Sequence, residues 1–195
     1  MSRLLVATTN PGKQGEFRRL LAGLPAEVVT PDEIGLVLDV PEPYDTYAEN
    51  AAAKALAYAR ASGILSVADD SGIEVAELDW GPGVRSARWG GPDKAESLID
   101  ALDGVDDRRA RMVCSLAIGI PGDGEPTVEL YTGTVEGTVA RSPRGTRGFG
   151  YDPIFELPSG VTTAELSEPE KDRVSHRGRA VAAAEPALRR LLGAN

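Results

Sequence analysis

The first apolar run, Arg3 to Thr8, is short, aliphatic and β-branched and predicts a strand. A polar turn follows, Thr9-Asn10-Pro11-Gly12-Lys13, and then Phe17, Leu20 and Leu21 at helical spacing before Gly23. Asn10 suits a helix N-cap and Pro11 the first helical position. Val28 to Leu38 predicts a second strand region, broken by Pro31 and Gly35, and Pro41-Glu42-Pro43 is a rigid link that holds up a carboxylate. Thr46 and Glu49 match a capping box, which opens an Ala-rich helix ending at Gly63, with Asn50 and Lys54 on one face. Ile64 to Ala68 is a compact apolar strand expected to deliver Asp69-Asp70-Ser71-Gly72 at its C-terminal end, where α/β sheets build sites.

Beyond it, Gly81 to Gly91 reads as a glycine-punctuated loop, a lid, a partner-facing surface or an exposed connection, and Asp93 as the cap of a helix from Lys94 to Leu102. Arg109–Ile120 and Thr127–Val139 predict two long strands in an antiparallel hairpin, the second with Gly137 as a bulge. A second Ser-x-x-Glu box at Ser167 starts another helix. A final Ala- and Leu-rich helix follows Ser175-His176-Arg177-Gly178-Arg179, with Pro186 expected to kink it or restart its path. The pattern predicts an α/β chain, one domain over residues 1–195.

Composition narrows the function. The 195 residues are ample for a buried sheet, and no apolar run reaches the ~18–20 residues of a membrane span. The opening run is too short and too soon polar for a signal peptide, so a cytoplasmic protein is expected. A net charge of −9 argues against a protein that coats nucleic acid. The single cysteine, Cys114, excludes an internal disulfide and a cysteine-rich metal site. Lysine is rare, 4 against 17 arginines, and Lys13, Lys54 and Lys171 fall inside the motifs below. A compact ammonium suits phosphate oxygens.

Three stretches carry candidate chemistry. Thr8 to Lys13 runs from a strand into a helix N-terminus with a Lys in its first turn, which favours an anion; an ordinary turn with an exposed Lys is the alternative. Asp69-Asp70 after a buried strand suits Mg²⁺, a hard ion that takes few protein oxygens and keeps water. Adjacent side chains on an extended backbone diverge, so one of the two is the primary ligand; an ion-free turn is the alternative. In Gly145 to Phe155, glycines flank Phe149 and Tyr151, which lets backbone approach a flat ligand such as a nucleobase, with Asp152 as an acceptor beside it. An irregular turn with one semi-buried Phe is the alternative for that stretch. His176 and Arg177 offer donors to carbonyl oxygens, the alternative being a pair that lies on a helix surface.

Taken together, Thr8-Thr9-Asn10-x-Gly12-Lys13, Thr46-Tyr47-x-Glu49-Asn50-Ala51-x-x-Lys54, Ala68-Asp69-Asp70-Ser71-Gly72, Gly148-Phe149-Gly150-Tyr151-Asp152-Pro153-Ile154-Phe155 and Glu170-Lys171-x-x-x-Ser175-His176-Arg177-Gly178 resemble the RdgB/HAM1 family of inosine/xanthosine triphosphate pyrophosphatases. The resemblance spans Leu4 to about Leu192 and departs from the pattern at Thr9 and Pro186. It implies a long mixed sheet with flanking helices, forming two lobes around a central cleft, and a homodimer. It implies Mg²⁺-dependent hydrolysis of ITP, dITP and XTP to the monophosphate and pyrophosphate, cleansing the nucleotide pool. By matching motif, Thr8, Thr9, Asn10, Pro11, Gly12, Lys13 and Lys54 hold the triphosphate and Ser71 touches phosphate. Asp70 is metal ligand and general base, with Glu42 and Asp69 as further candidate metal carboxylates. Phe149, Gly150, Tyr151 and Asp152 hold the base, and Lys171, His176 and Arg177 complete its pocket. A Maf-like pyrophosphatase of other base choice and a non-catalytic nucleotide-binding module are the competing readings.

Overall fold

The computed structural model describes residues 2–193. Among these are seven strands and five α-helices: β1 (Ser2–Val6), α1 (Pro11–Leu20), β2 (Ala26–Val29), α2 (Tyr47–Ser62), β3 (Leu65–Val75), β4 (Gly81–Pro82), α3 (Lys94–Ala101), β5 (Arg109–Ile120), β6 (Thr127–Val139), β7 (Phe155–Glu156), α4 (Glu168–Val174) and α5 (His176–Leu191). The strands form one mixed sheet in the order β2-β1-β3-β5-β6-β7, with β4 beside β3. β1 is parallel to β2 and β3; β4 is antiparallel to β3, and β7 to β6. The link from Pro121 to Pro126 is too short for a crossover, so β5 and β6 form the expected hairpin. No helix among the described residues is long and apolar enough to cross a membrane. The chain divides into two compact units: Met1–Asp70 with Cys114–Gly133 and Arg179–Asn195, and Ser71–Val113 with Thr134–Gly178.

The first unit has apolar cores on both faces of its strands, because alternate residues of a strand face opposite ways. Leu4 and Val6 of β1, Val67 of β3 and Cys114, Leu116 and Ile118 of β5 pack with Phe17 of α1 and with Ala180, Ala184 and Leu188 of α5. Leu5, Ala68 and Ala117 face the other way, onto Ala51, Ala55 and Tyr58 of α2. That helix sits close: a Cβ built on Gly119 of β5 would lie 2.3 Å from the Ala55 carbonyl oxygen. Thr46 caps α2 as expected, its hydroxyl accepting from Glu49 N–H at 3.2 Å, and Gly63 ends it in the left-handed conformation.

The second unit gathers Ile73 and Val75, Ala110 and Met112, and Val135 and Val139 with Leu98 and Leu102 and with Tyr151, Ile154 and Phe155. Gly137 is explained by close approach: a Cβ there would lie 2.4 Å from Glu156 O and 2.8 Å from the Phe155 ring.

Several expectations need correcting. The Asp-Asp-Ser-Gly stretch is not the end of a strand, since β3 runs through it to Val75. Ile73 and Val75, both fully buried, keep the alternation going, and that burial overrides the local turn signal. The Gly81–Gly91 segment is not an open loop. It contains β4 and 3-10 turns, and buried Ser86 pins it, accepting from Ile73 N–H at 3.0 Å. Asp93 stands at the start of α3 but makes no capping hydrogen bond. Pro186 does not restart the last helix: it lies inside α5, which runs from His176 to Leu191.

Candidate active site

Each unit brings together its own part of the predicted residue set. In the first unit, β1 ends at Val6 and the chain turns into α1. Asn10 caps that helix, its Oδ1 accepting from Lys13 N–H at 3.1 Å, while Thr8 Oγ1 accepts from Asn10 N–H at 3.2 Å. The cap fixes the turn and leaves Thr9, Asn10 and Pro11 exposed at a helix start, an arrangement able to receive an anion. Lys13 returns from the first helical turn to Asp69, with an Nζ–Oδ1 separation of 3.1 Å.

On β3, Asp69 and Asp70 do diverge. Asp69 meets Lys13 and the Cys114 thiol, whereas Asp70 Oδ2 accepts from Asn50 Nδ2 at 3.0 Å. One turn along α2, Lys54 donates to the Asp69 carbonyl at 2.6 Å and pairs with Glu42. Burial pushes the Asp70 carboxyl above its usual range. Lys54, the Asn50 hydrogen bond and Lys13 oppose that rise, and the Glu42 charge adds to it. Two carboxylates that repel, one of them desolvated, form a hard-oxygen environment that a divalent cation would stabilise.

No group of three or more His, Cys, Asp or Glu among the described residues forms a metal cage. The carboxylates of Asp70 and Glu42 are hard oxygen donors of the kind that suits Mg²⁺, which binds through one or two carboxylates and retains water. Asp70 and Glu42 are the residues that would hold it. Asp69, turned the other way onto Lys13, is the poorer ligand of the adjacent pair.

In the second unit the glycine-flanked turn folds around one carboxylate. Asp152 is buried, and its Oδ2 accepts from Phe149 N–H at 2.7 Å and from Lys171 Nζ at 2.5 Å, while its Oδ1 accepts from the Thr163 hydroxyl at 2.8 Å. Gly148 is required here. At φ 76° it is left-handed, and a Cβ on it would lie 2.1 Å from Asp152 Oδ2. Tyr151 also points inward: its hydroxyl donates to the Ser86 carbonyl at 2.9 Å, and burial pushes its pKa up to about 12. The side chains of Tyr151 and Asp152 therefore brace the turn, and Asp152 is an acceptor beside the Phe149 ring, toward Phe149 N–H and Lys171.

The groups around the Phe149 ring are cationic. Lys171 Nζ lies 5.2 Å and the Arg177 guanidinium 5.9 Å from the ring centroid. Arg177 is 2% exposed and donates to Ser71 Oγ at 3.0 Å. His176 and Arg177 occupy the first turn of α5, and Ser175 precedes it, accepting from Gly178 N–H at 3.0 Å. Gly178 has no room for a side chain, since a Cβ would lie 1.9 Å from Asp172 O. Sequence reasoning left Asn50 and Thr163 out of the site. Asn50's place on the Lys54 face of a helix was the available signal, and nothing local marked Thr163.

Comparison with known proteins finds relatives along nearly the whole chain. A Ham1 family model matches residues 4–187. A dITP/XTP pyrophosphatase of Streptomyces coelicolor is 45% identical, over 99% of this chain and all of its own. One from Syntrophobacter fumaroxidans is 46% identical, over 91% of this chain and 78% of its own. Among solved structures, a HAM1 protein from Coxiella burnetii superposes with a TM-score of 0.84 at 36% identity, covering 97% of this chain and 100% of that one.

Proposed function

The chain belongs to the Ham1 family, and on that premise we propose that it hydrolyses non-standard purine nucleoside triphosphates, dITP, ITP and XTP, to the monophosphate and pyrophosphate. The observation that carries the base choice is buried Arg177, held by Ser71 and set beside Phe149 with Lys171. Hypoxanthine and xanthine present a carbonyl at C6, which accepts from such donors. Adenine presents an amino group there and leaves buried donors opposed, a mismatch worth up to about 10⁴–10⁵ in specificity. Phe149 supplies the surface on which the purine stacks.

The triphosphate is assigned to the α1 start, with Lys13 and Lys54 held in place to offset charge on the departing pyrophosphate. Asp70, whose carboxyl is already raised toward neutrality by burial, accepts a proton from the water that attacks the α-phosphorus. Asp70 and Glu42 would hold Mg²⁺, which would supply Lewis-acid neutralisation of the phosphate oxygens. In the cell this activity removes miscoding triphosphates from the cytoplasmic pool, and the working form is a homodimer.

The test is pyrophosphate release from dITP, ITP, XTP, GTP and ATP, with and without Mg²⁺. Turnover of the first three that needs the metal, with ATP poorer by at least about a thousandfold, is expected. Equal turnover of ATP would overturn the base assignment. Unchanged turnover in a chelator would overturn the metal assignment.

A further inference from the structure

Asn50 lies outside the set of residues that touch substrate in the reading above, yet its amide is engaged on every side. It is 1% exposed. Its Oδ1 accepts from Tyr44 N–H at 3.1 Å, and its Nδ2 donates both to the Tyr44 carbonyl at 3.2 Å and to Asp70 Oδ2 at 3.0 Å. One side chain thus grips a stretch of main chain from both sides and a carboxylate as well. Serine or alanine could not reproduce that pattern, because only a carboxamide offers an acceptor and two donors in one plane.

The main chain it grips is the segment that carries Glu42. Residues 36–46 contain no helix or strand. Ahead of Glu42, Leu36, Leu38 and Val40 rest on the core beneath α2. Around Glu42, Pro41 and Pro43 bring no N–H groups with which to hold the backbone. Behind it, half-exposed Tyr44 offers little apolar anchorage, and the clasp by Asn50 is what ties the backbone down.

We propose that Asn50 is a positioning residue that locks the Glu42-bearing segment to Asp70, and so sets the spacing of the two carboxylates. This rests on the phosphate-site reading given above. The lock acts through Tyr44, two residues from Glu42, and through Asp70 itself. Lys54, one turn further along the same helix face, fastens Glu42 directly, so α2 braces the segment at two points.

The test compares Asn50→Ala and Asn50→Asp in the full chain by amide hydrogen exchange, thermal unfolding and steady-state kinetics with ITP. For Asn50→Ala, exchange at Tyr44 N–H rises about tenfold or more while β1 and the middle of α2 keep their protection. Its kcat falls about 10–100-fold, with KM changed less than about threefold. Asn50→Asp retains an acceptor for Tyr44 N–H but sets a carboxylate against Asp70. Tyr44 therefore stays protected while kcat still falls about tenfold or more. A packing defect alone would not separate the two readouts in that way. The proposal is overturned if Asn50→Ala leaves Tyr44 protected, or if it deprotects the whole unit while kcat per folded molecule is unchanged. Absence of pyrophosphate release by the wild-type chain would count against the proposed function, and the exchange data would still decide the role of Asn50 as a clasp.

Discussion

Replacing Asp152 by alanine removes the carboxylate around which the Phe149 turn folds. Phe149 N–H and the Lys171 ammonium lose its oxygens as acceptors, and the Thr163 hydroxyl keeps the residue's backbone carbonyl. The Asp152 and Lys171 side chains are only 4% and 7% exposed, so the ammonium that loses this carboxylate stays out of water. Removing one partner of a buried pair costs about 3–5 kcal/mol. At about 2–4 °C per kcal/mol for a chain of this size, the melting temperature should drop by roughly 6–20 °C.

Asp152→Asn is the informative companion. With its amide oxygen toward Phe149 and Lys171 and its nitrogen toward Thr163, asparagine keeps the geometry and loses only the charge. It should cost less than half as much, about 1–2 kcal/mol. Denaturant unfolding measures the stabilities, and kinetics with ITP and ATP measures the base preference. A brace weakens all purine substrates together and leaves the ITP to ATP ratio within about threefold of wild type. Destabilisation of Asp152→Ala by less than about 1 kcal/mol would refute the bracing role. So would a main effect on that ratio, since the carboxylate would then be reading the base itself.

Other outcomes follow from the same geometry. Asp70→Asn should lose about 10²–10⁴ in kcat while remaining folded, and it should melt no lower than wild type at neutral pH. The folded-state pKa of Asp70 is raised, so its ionisation weakens the fold as pH rises through that value, and the neutral amide escapes the loss. Near-normal turnover would retire the role of Asp70. Arg177→Ala should narrow the gap between ITP and ATP by about tenfold or more, as measured by kcat/KM; an unchanged ratio places base reading elsewhere. Tyr151, with its pKa pushed up to about 12, contributes stability that is complete below about pH 10 and is lost as pH rises through about 12. Tyr151→Phe should therefore flatten the alkaline limb of stability measured by denaturant unfolding, and an unaltered limb would show that the phenol is solvated.

What the chain disclosed in advance was chiefly what is local. Asn10, Thr46 and Gly63 mark helix ends by chemistry that works within three or four residues, and each does in the fold what its position suggested. The two long strands at Arg109–Ile120 and Thr127–Val139 were legible from stretches rich in apolar and β-branched residues. Asp69 to Gly72 misled because Ser and Gly after two carboxylates form a strong turn signal, whereas the burial of Ile73 and Val75 that keeps the strand extended depends on residues far along the chain. The inward aim of Asp152 was hidden for the same reason. Its partners Thr163 and Lys171 lie 11 and 19 residues away, and no spacing rule joins them. Asn50 was placed on the correct helix face, but its three partners were invisible until the coil before α2 had a path.

The seat of α2 on Gly119 has a bearing on how this protein tolerates change. Main chain there rests against main chain with no side chain between, so the helix has no cushion to absorb a larger residue. A single methyl group added at position 119, in the apolar interior and remote from any nucleotide in sequence, would shove the neighbouring Lys54 and the rest of that helix face off their marks. Variation at this glycine should consequently masquerade as catalytic damage, and trimming Ala55 to glycine should not rescue it, because the carbonyl that is struck belongs to the helix backbone.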